Sequence, residues 1–122
     1  MSKKVTLVLG ASNKPGRYSK MALELLEKKG KKTIAIGLVE ASVGNIKIHQ
    51  KLPEDVKTVH TVSLYMRASL QEQYQDLIFQ LNPKRVIFNP GTSNLKLQEK
   101  LREAGIEVLS ACTLVMLQTN QY

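Results

Sequence analysis

Chemistry concentrates in the segment Gly10-Ala11-Ser12-Asn13-Lys14-Pro15-Gly16-Arg17, which follows directly on the apolar run Val5-Thr6-Leu7-Val8-Leu9. Glycine at the exit of a strand lets a phosphate or another backbone come close. A helix starting just beyond would turn unpaired N–H groups and a positive dipole end toward the same place. Ser12 and Asn13 add side-chain hydrogen bonds, and Arg17 can hold a phosphate through two parallel donors. Eight small and polar residues exceed what a bare connection requires. The segment is not a P-loop, since it lacks a Gly-Lys-Ser/Thr ending. It also departs from G-x-G-x-x-G, because Ser12 stands where the middle glycine belongs. Downstream, Gly37-Leu38-Val39 lacks the acid of a NAD-type site, and Glu40 arrives late.

Other reactive side chains are scattered. His49 and His60 are the two histidines, and neither has a metal-ligating partner at helical or hairpin spacing. His60 reads as a packing or rim residue of a strand. Cys112 reads either as an inert buried thiol or as one able to form a mixed disulfide. The sequence contains no Ser-His-Asp set, and its paired carboxylates, Glu54-Asp55, look exposed. No catalytic constellation emerges, and the expectation is binding without catalysis.

The elements that must position these residues alternate. Val5–Leu9 is a first strand, and Tyr18, Met21, Ala22, Leu25 and Leu26 mark one face of a helix that Lys28-Lys29 and Gly30 close. Thr33–Ile36 is a second strand. After a looser stretch with a short strand over Ile46–Ile48, Thr58–Leu64 is the third main strand. Ser69-Leu70-Gln71-Glu72 has capping-box spacing, which predicts a helix from there with Leu70, Tyr74, Leu77, Ile78 and Leu81 inward and a stop at Asn82-Pro83. Arg85–Phe88 is a fourth strand, Leu97, Leu101 and Ala104 mark a third helix, and Ile106–Leu109 is a fifth strand. Such alternation predicts a three-layer, Rossmann-like open parallel α/β sheet of about five strands in the order 3-2-1-4-5. Ligands of that fold bind beyond the carboxyl ends of the strands, beside strand one. Leu114-Val115-Met116-Leu117 either covers the core or joins two copies into a homodimer.

Composition narrows the class. At 122 residues, with 43% hydrophobic and 23% charged positions, the chain has the size and balance of one globular domain, 1–122. No apolar run approaches the ~20 residues of a membrane span, and the opening run is too short for a signal peptide. With a single cysteine, no internal disulfide framework can form, and a cytoplasmic address is expected. A formal charge of +8, carried in clusters such as Lys3-Lys4, Lys28-Lys29 with Lys31-Lys32, and Lys84-Arg85, favours anionic partners. Aromatic residues are only 5% of the chain, with no tryptophan, so nonspecific nucleic-acid binding is a poor second to a phosphorylated small molecule.

Gly10-Ala11-Ser12-Asn13-Lys14-Pro15-x-Arg17 resembles the Gly-Ala-Ser-x-x-Pro-x-Arg opening of the small stand-alone CoA-binding proteins, relatives of the amino-terminal domain of the succinyl-CoA synthetase alpha subunit. The likeness extends through Gly44, Leu64-Tyr65-Met66-Arg67, Gly91, Glu103-Ala104-Gly105-Ile106 and Cys112. It implies a Rossmann-like fold holding coenzyme A or an acyl-CoA at the carboxyl edge of the sheet. On that likeness Gly10, Ala11, Ser12 and Arg17, with Asn13, Pro15 and Gly16 of the same loop, meet phosphate. Arg67 is a further phosphate or rim contact, and Gly91 lies near the pantetheine or adenine path. A small NAD(P)-linked oxidoreductase or regulator, resting on Glu40, is the alternative.

Overall fold

The computed structural model describes residues 4–122, which leaves Lys3 of the Lys3-Lys4 pair outside. Seven strands form one sheet: β1 (Val5–Leu9), β2 (Lys32–Ile36), β3 (Ala41–Val43), β4 (Ile46–His49), β5 (Thr61–Leu64), β6 (Arg85–Phe88) and β7 (Glu107–Ser110). Their order is β3-β4-β2-β1-β5-β6-β7, parallel throughout except for the antiparallel β3–β4 pair at one edge. The helices are α1 (Tyr18–Lys28), α2 (Ala68–Gln71), α3 (Gln75–Leu81), α4 (Leu95–Glu103) and α5 (Thr113–Gln118), with a single 3-10 turn, Glu72–Tyr74, between α2 and α3.

The central strands are buried on both faces, as parallel strands covered by crossover helices must be. Along β1, Leu7 and Leu9 point to one side, into a core with Val62, Leu64, Ile78, Leu81, Val86, Leu97 and Leu101. Val8 points to the other, where Leu23, Leu26, Ala35, Ile48 and Leu117 meet it. Hence α3 and α4 cover one face and α1 and α5 the other, the three layers expected from the alternation of elements.

Beyond the phase of α1, where Tyr18 and Met21, expected inward, are exposed and Leu23 is buried instead, two details depart from the sequence expectation. The strand read third, observed as Thr61–Leu64, does not lie outside β2 but pairs with β1 on its opposite side. The place beside β2 belongs to β4, the short Ile46–His49 segment, with Ala35 opposite Ile48 and Ile36 opposite His49. The order 3-2-1-4-5 thus holds only if that short strand is counted as the third, and the sheet has seven strands instead of five. The physical reason is local: Ile46 and Ile48 are buried while Lys47 is exposed, so four residues suffice to bury one face. The two-residue turn Gly44-Asn45 folds β3 back on them, and the Glu27 carboxylate at the end of α1 accepts the Asn45 N–H at 2.7 Å.

The second departure is in the helix after β5. It starts at Ala68 with Arg67 as an N-cap that makes no side-chain bond, so the Ser69–Glu72 capping box does not form. Leu70, expected inward, is 41% exposed, while its neighbour Gln71 is fully buried. Gln71 is drawn in by polar partners described below, and the 3-10 turn then resets the phase so that Ile78 and Leu81 of α3 reach the core. At the carboxyl end of the chain, Leu114 and Leu117 of α5 are buried and Val115 is exposed, so the apolar run there covers the core through those two leucines.

Candidate functional site

All nine residues singled out from the sequence lie on loops that leave the carboxyl ends of strands: Gly10 to Arg17 after β1, Arg67 after β5 and Gly91 after β6. The exit of β1 is held from both sides. The amides of Gly10 and Ala11 both donate to the Ile36 carbonyl of β2, at 3.0 and 2.9 Å, and the Tyr65 N–H donates to the Leu9 carbonyl at 2.9 Å. Gly10 takes φ +88°, and a Cβ there would come within 3.0 Å of the Tyr65 backbone. Gly10 and Ala11 therefore shape the seat, their amides being turned into the sheet.

The donors that face outward come next along the chain. Ser12 Oγ accepts the Lys14 N–H at 3.1 Å, bending the loop, and the Arg17 N–H reaches the Lys14 carbonyl at 3.3 Å. The amides of Ser12, Asn13 and Gly16 have no hydrogen-bond partner among the described residues. Asn13, Lys14, Pro15, Gly16 and Arg17 are exposed, and Arg17 is the extended N-cap of α1 without a side-chain bond to the helix. The first-turn amides of α1 are consequently left to solvent or a ligand.

The starts of α4 and α5 at this edge are closed, whereas that of α2, only four residues long, has no side-chain cap. Asn94 caps α4, its Oδ1 accepting the Leu97 N–H at 3.1 Å, while Gln98 Oε1 accepts the Asn94 N–H at 2.8 Å. The first amide of α5, that of Thr113, donates to Asn89 Oδ1 at 2.8 Å. α1, eleven residues long, is the long helix whose positive end is open. With the exposed cations Lys14, Arg17 and Arg67, this end of the sheet is built to meet negative charge. Arg67 is steadied by a 3.0 Å bond from its Nε to Ser69 Oγ.

Behind the rim runs a buried polar framework that the sequence did not reveal. Asn89 was read as part of a turn, yet it is 2% exposed and its amide nitrogen donates to Ser63 Oγ at 2.9 Å and to the Leu64 carbonyl at 2.7 Å. Gln71 donates to the carbonyls of Met66 and Thr92, at 2.8 and 2.7 Å, and its Oε1 accepts from Asn94 at 3.0 Å. Thr92 Oγ1 closes on the Asn89 carbonyl at 2.7 Å. Loops after β5, β6 and β7 are thereby laced together beneath Gly91. Beside this framework the Tyr65 hydroxyl is buried without a hydrogen-bond partner, and burial pushes its ionisation up to about 12. Cys112, half-buried, caps α5 close by.

Gly37 was also missed. A Cβ at this position would lie 2.2 Å from the Ala11 carbonyl oxygen, so only glycine allows the loops after β1 and β2 to touch. The available signal was a glycine standing immediately after the second strand. His49 ends β4 at the carboxyl edge, whereas His60 precedes β5 at the amino edge, hydrogen-bonded through Nδ1 to Thr61 Oγ1 at 2.8 Å. Burial, then the charges of Arg85, Lys4 and Lys84, hold the His60 imidazole below its usual range, which suits the rim role read for it. A cleft of about 380 Å³ lies apart from the β1 loop, between Leu52, Pro53, Val56 and Lys57 and the end of α3. Its lining brings together no set of convergent donors comparable to the β1 loop. No helix among the described residues is long and apolar enough to cross a membrane.

Comparison with known proteins agrees with the fold. A solved structure described as an uncharacterized protein is 41% identical over 100% of both chains, with a TM-score of 0.91. A Thermus thermophilus protein, cell-free ID.343, superposes with a TM-score of 0.84 at 20% identity, covering 98% of this chain and 91% of that one. A hypothetical protein from Pyrococcus horikoshii OT3 gives 0.81 at 24% identity, over 96% and 82%. Below 25% identity these last two speak for the Rossmann-like fold alone. No curated protein matches the chain. The family described as CoA binding domain matches residues 4–118, nearly the whole length. The chain belongs to the CoA-binding domain family.

Proposed function

We propose that this chain is a binding module for coenzyme A or an acyl-CoA, with the diphosphate seated at the open end of α1 and no catalysis of its own. The observation that carries this reading is the contrast among helix starts: α4 and α5 are capped by Asn94 and Asn89, while α1 presents free amides behind Arg17. A diphosphate satisfies those donors and gains from the dipole and from Arg17 together. Ser12 and Asn13 supply short polar contacts, Gly16 leaves the lip clear of a side chain, and Pro15 stiffens it. Arg67 and Gly91 border the path by which the pantetheine arm would leave. The separate positions of His49, His60 and Cys112 support binding over chemistry, since they give no nucleophile–base pair.

The test is calorimetric titration with CoA and acetyl-CoA. Saturable binding is expected, weakened more than tenfold by Arg17→Ala, as loss of a charge-assisted contact requires. No heat at about 1 mM ligand, a limit of about 4 kcal/mol, would refute the reading. An unchanged affinity in Arg17→Ala would remove that residue from the site.

A further inference from the structure

In a doubly wound sheet the end of β2 is where the sugar of an adenosine is read, by an acid when its hydroxyls are free and by a cation when it carries phosphate. Here that end is Gly37-Leu38-Val39-Glu40, and its placement against the β1 loop is fixed. Ile36 accepts from Gly10 and Ala11, and the Gly37 position sits against the Ala11 carbonyl. The backbone of the segment is tied down as well: the Gly37 N–H donates to the His49 carbonyl at 2.8 Å, and Gln50 Nε2 donates to the Leu38 carbonyl at 2.9 Å. What it presents to solvent is therefore side chains. Leu38 is 84% exposed and Val39 is 69% exposed, adjacent to each other on the segment. Glu40 is exposed beside them, and no cation occurs in the segment.

Two apolar side chains and a carboxylate favour the flat face of a base and a hydroxylated sugar; they repel a phosphomonoester. The cations of the β1 loop, Lys14 and Arg17, are committed to the diphosphate in the reading above. The first cation after β4 along the chain is Lys51, two residues beyond its end and exposed. We infer that the site accepts an adenosine diphosphate group whose ribose carries no phosphate, so that dephospho-CoA binds as well as CoA to within threefold. This inference rests on the CoA reading and names the form of ligand that the β2 end selects.

Titrations of CoA and dephospho-CoA against the wild type and Glu40→Lys test it, with melting temperatures checking that the exposed substitution leaves the fold intact. The wild type is expected to bind dephospho-CoA with a Kd no more than threefold above that of CoA. Glu40→Lys is expected to tighten CoA at least fivefold while leaving dephospho-CoA within twofold. Wild-type preference for CoA beyond threefold overturns the inference, and loss of that preference in Lys51→Ala would show the phosphate being read from β4. A Glu40→Lys variant that changes neither ligand overturns the part assigned to the β2 end. Absence of binding by both ligands is a different outcome, since it removes the CoA reading itself.

Discussion

Replacing Gly37 by alanine probes the contact on which the geometry of the candidate site depends. The added methyl would stand 2.2 Å from the Ala11 carbonyl oxygen, 3.1 Å from its carbon and 3.0 Å from Ile48 Cγ2. Gly37 does not occupy the left-handed region, so alanine is conformationally acceptable and the effect isolates the contact. An ordinary carbon–oxygen approach needs about 1 Å more room, and opening the loops by that amount stretches the Gly10 and Ala11 bonds to Ile36 beyond hydrogen-bonding reach. Losing two such bonds, one from a buried residue, costs about 2–4 kcal/mol. With an unfolding entropy near 2 cal/mol/K per residue, a chain of this size should melt roughly 8–15 °C lower. Thermal unfolding followed by circular dichroism measures this directly, and CoA titration on the folded variant should show weakened binding because the β1 loop has moved. A melting point within about 2 °C of wild type and an unaltered Kd would refute the reasoning.

The buried framework makes its own predictions. Asn89→Leu keeps the branching of the side chain but orphans the Leu64 carbonyl and the Thr113 amide, so urea denaturation should report a loss of about 3–5 kcal/mol; a loss under about 1 would mean these pairings contribute little. Tyr65→Phe removes a buried hydroxyl that has no partner and should be neutral or stabilising by up to about 1 kcal/mol. A clear destabilisation would show that Ser63 or Thr113, both near enough to ease its ionisation, does hold it. His60 binds its proton less readily in the folded protein than at its ordinary 6.5. As pH falls through 6.5 the unfolded chain takes up that proton first, so stability declines below 6.5 and is level above it. His60→Gln should flatten this slope, and an identical pH profile in the variant would assign the slope to other groups.

Much of the frame could be read from the residues because it follows from short-range rules. Val5–Leu9 is apolar enough to be buried on both faces, and Ala22 and Leu26 of the face read for α1 do meet the sheet, although Leu23 and not Tyr18 or Met21 completes it. The loop from Gly10 to Arg17 announced itself by composition. What escaped depends on partners distant in sequence. Gln71 looks like a surface residue and Leu70 like a core residue, but the carbonyls of Met66 and Thr92 and the amide of Asn94 reverse that order. Polarity patterning cannot anticipate a buried amide whose acceptors come from another loop. β3 escaped for a related reason: it is three residues long, with Val43 alone buried, and exists because β4 is there to pair with it. The role of Gly37 likewise required knowing that Ala11 lies opposite.

The lacing of Asn89, Gln71, Thr92 and Asn94 gives the carboxyl edge one fixed jaw, for the loop from Ser12 to Arg17 facing it is tied within itself by a single side-chain bond, Ser12 to Lys14. On the CoA reading, an occupant held there is expected to order the Ser12–Arg17 loop and to leave the laced jaw as it is, a difference hydrogen exchange with and without CoA would measure. Residence time and domain stability are then set by different residues, so mutations that harden the fixed jaw should raise the melting point without slowing release.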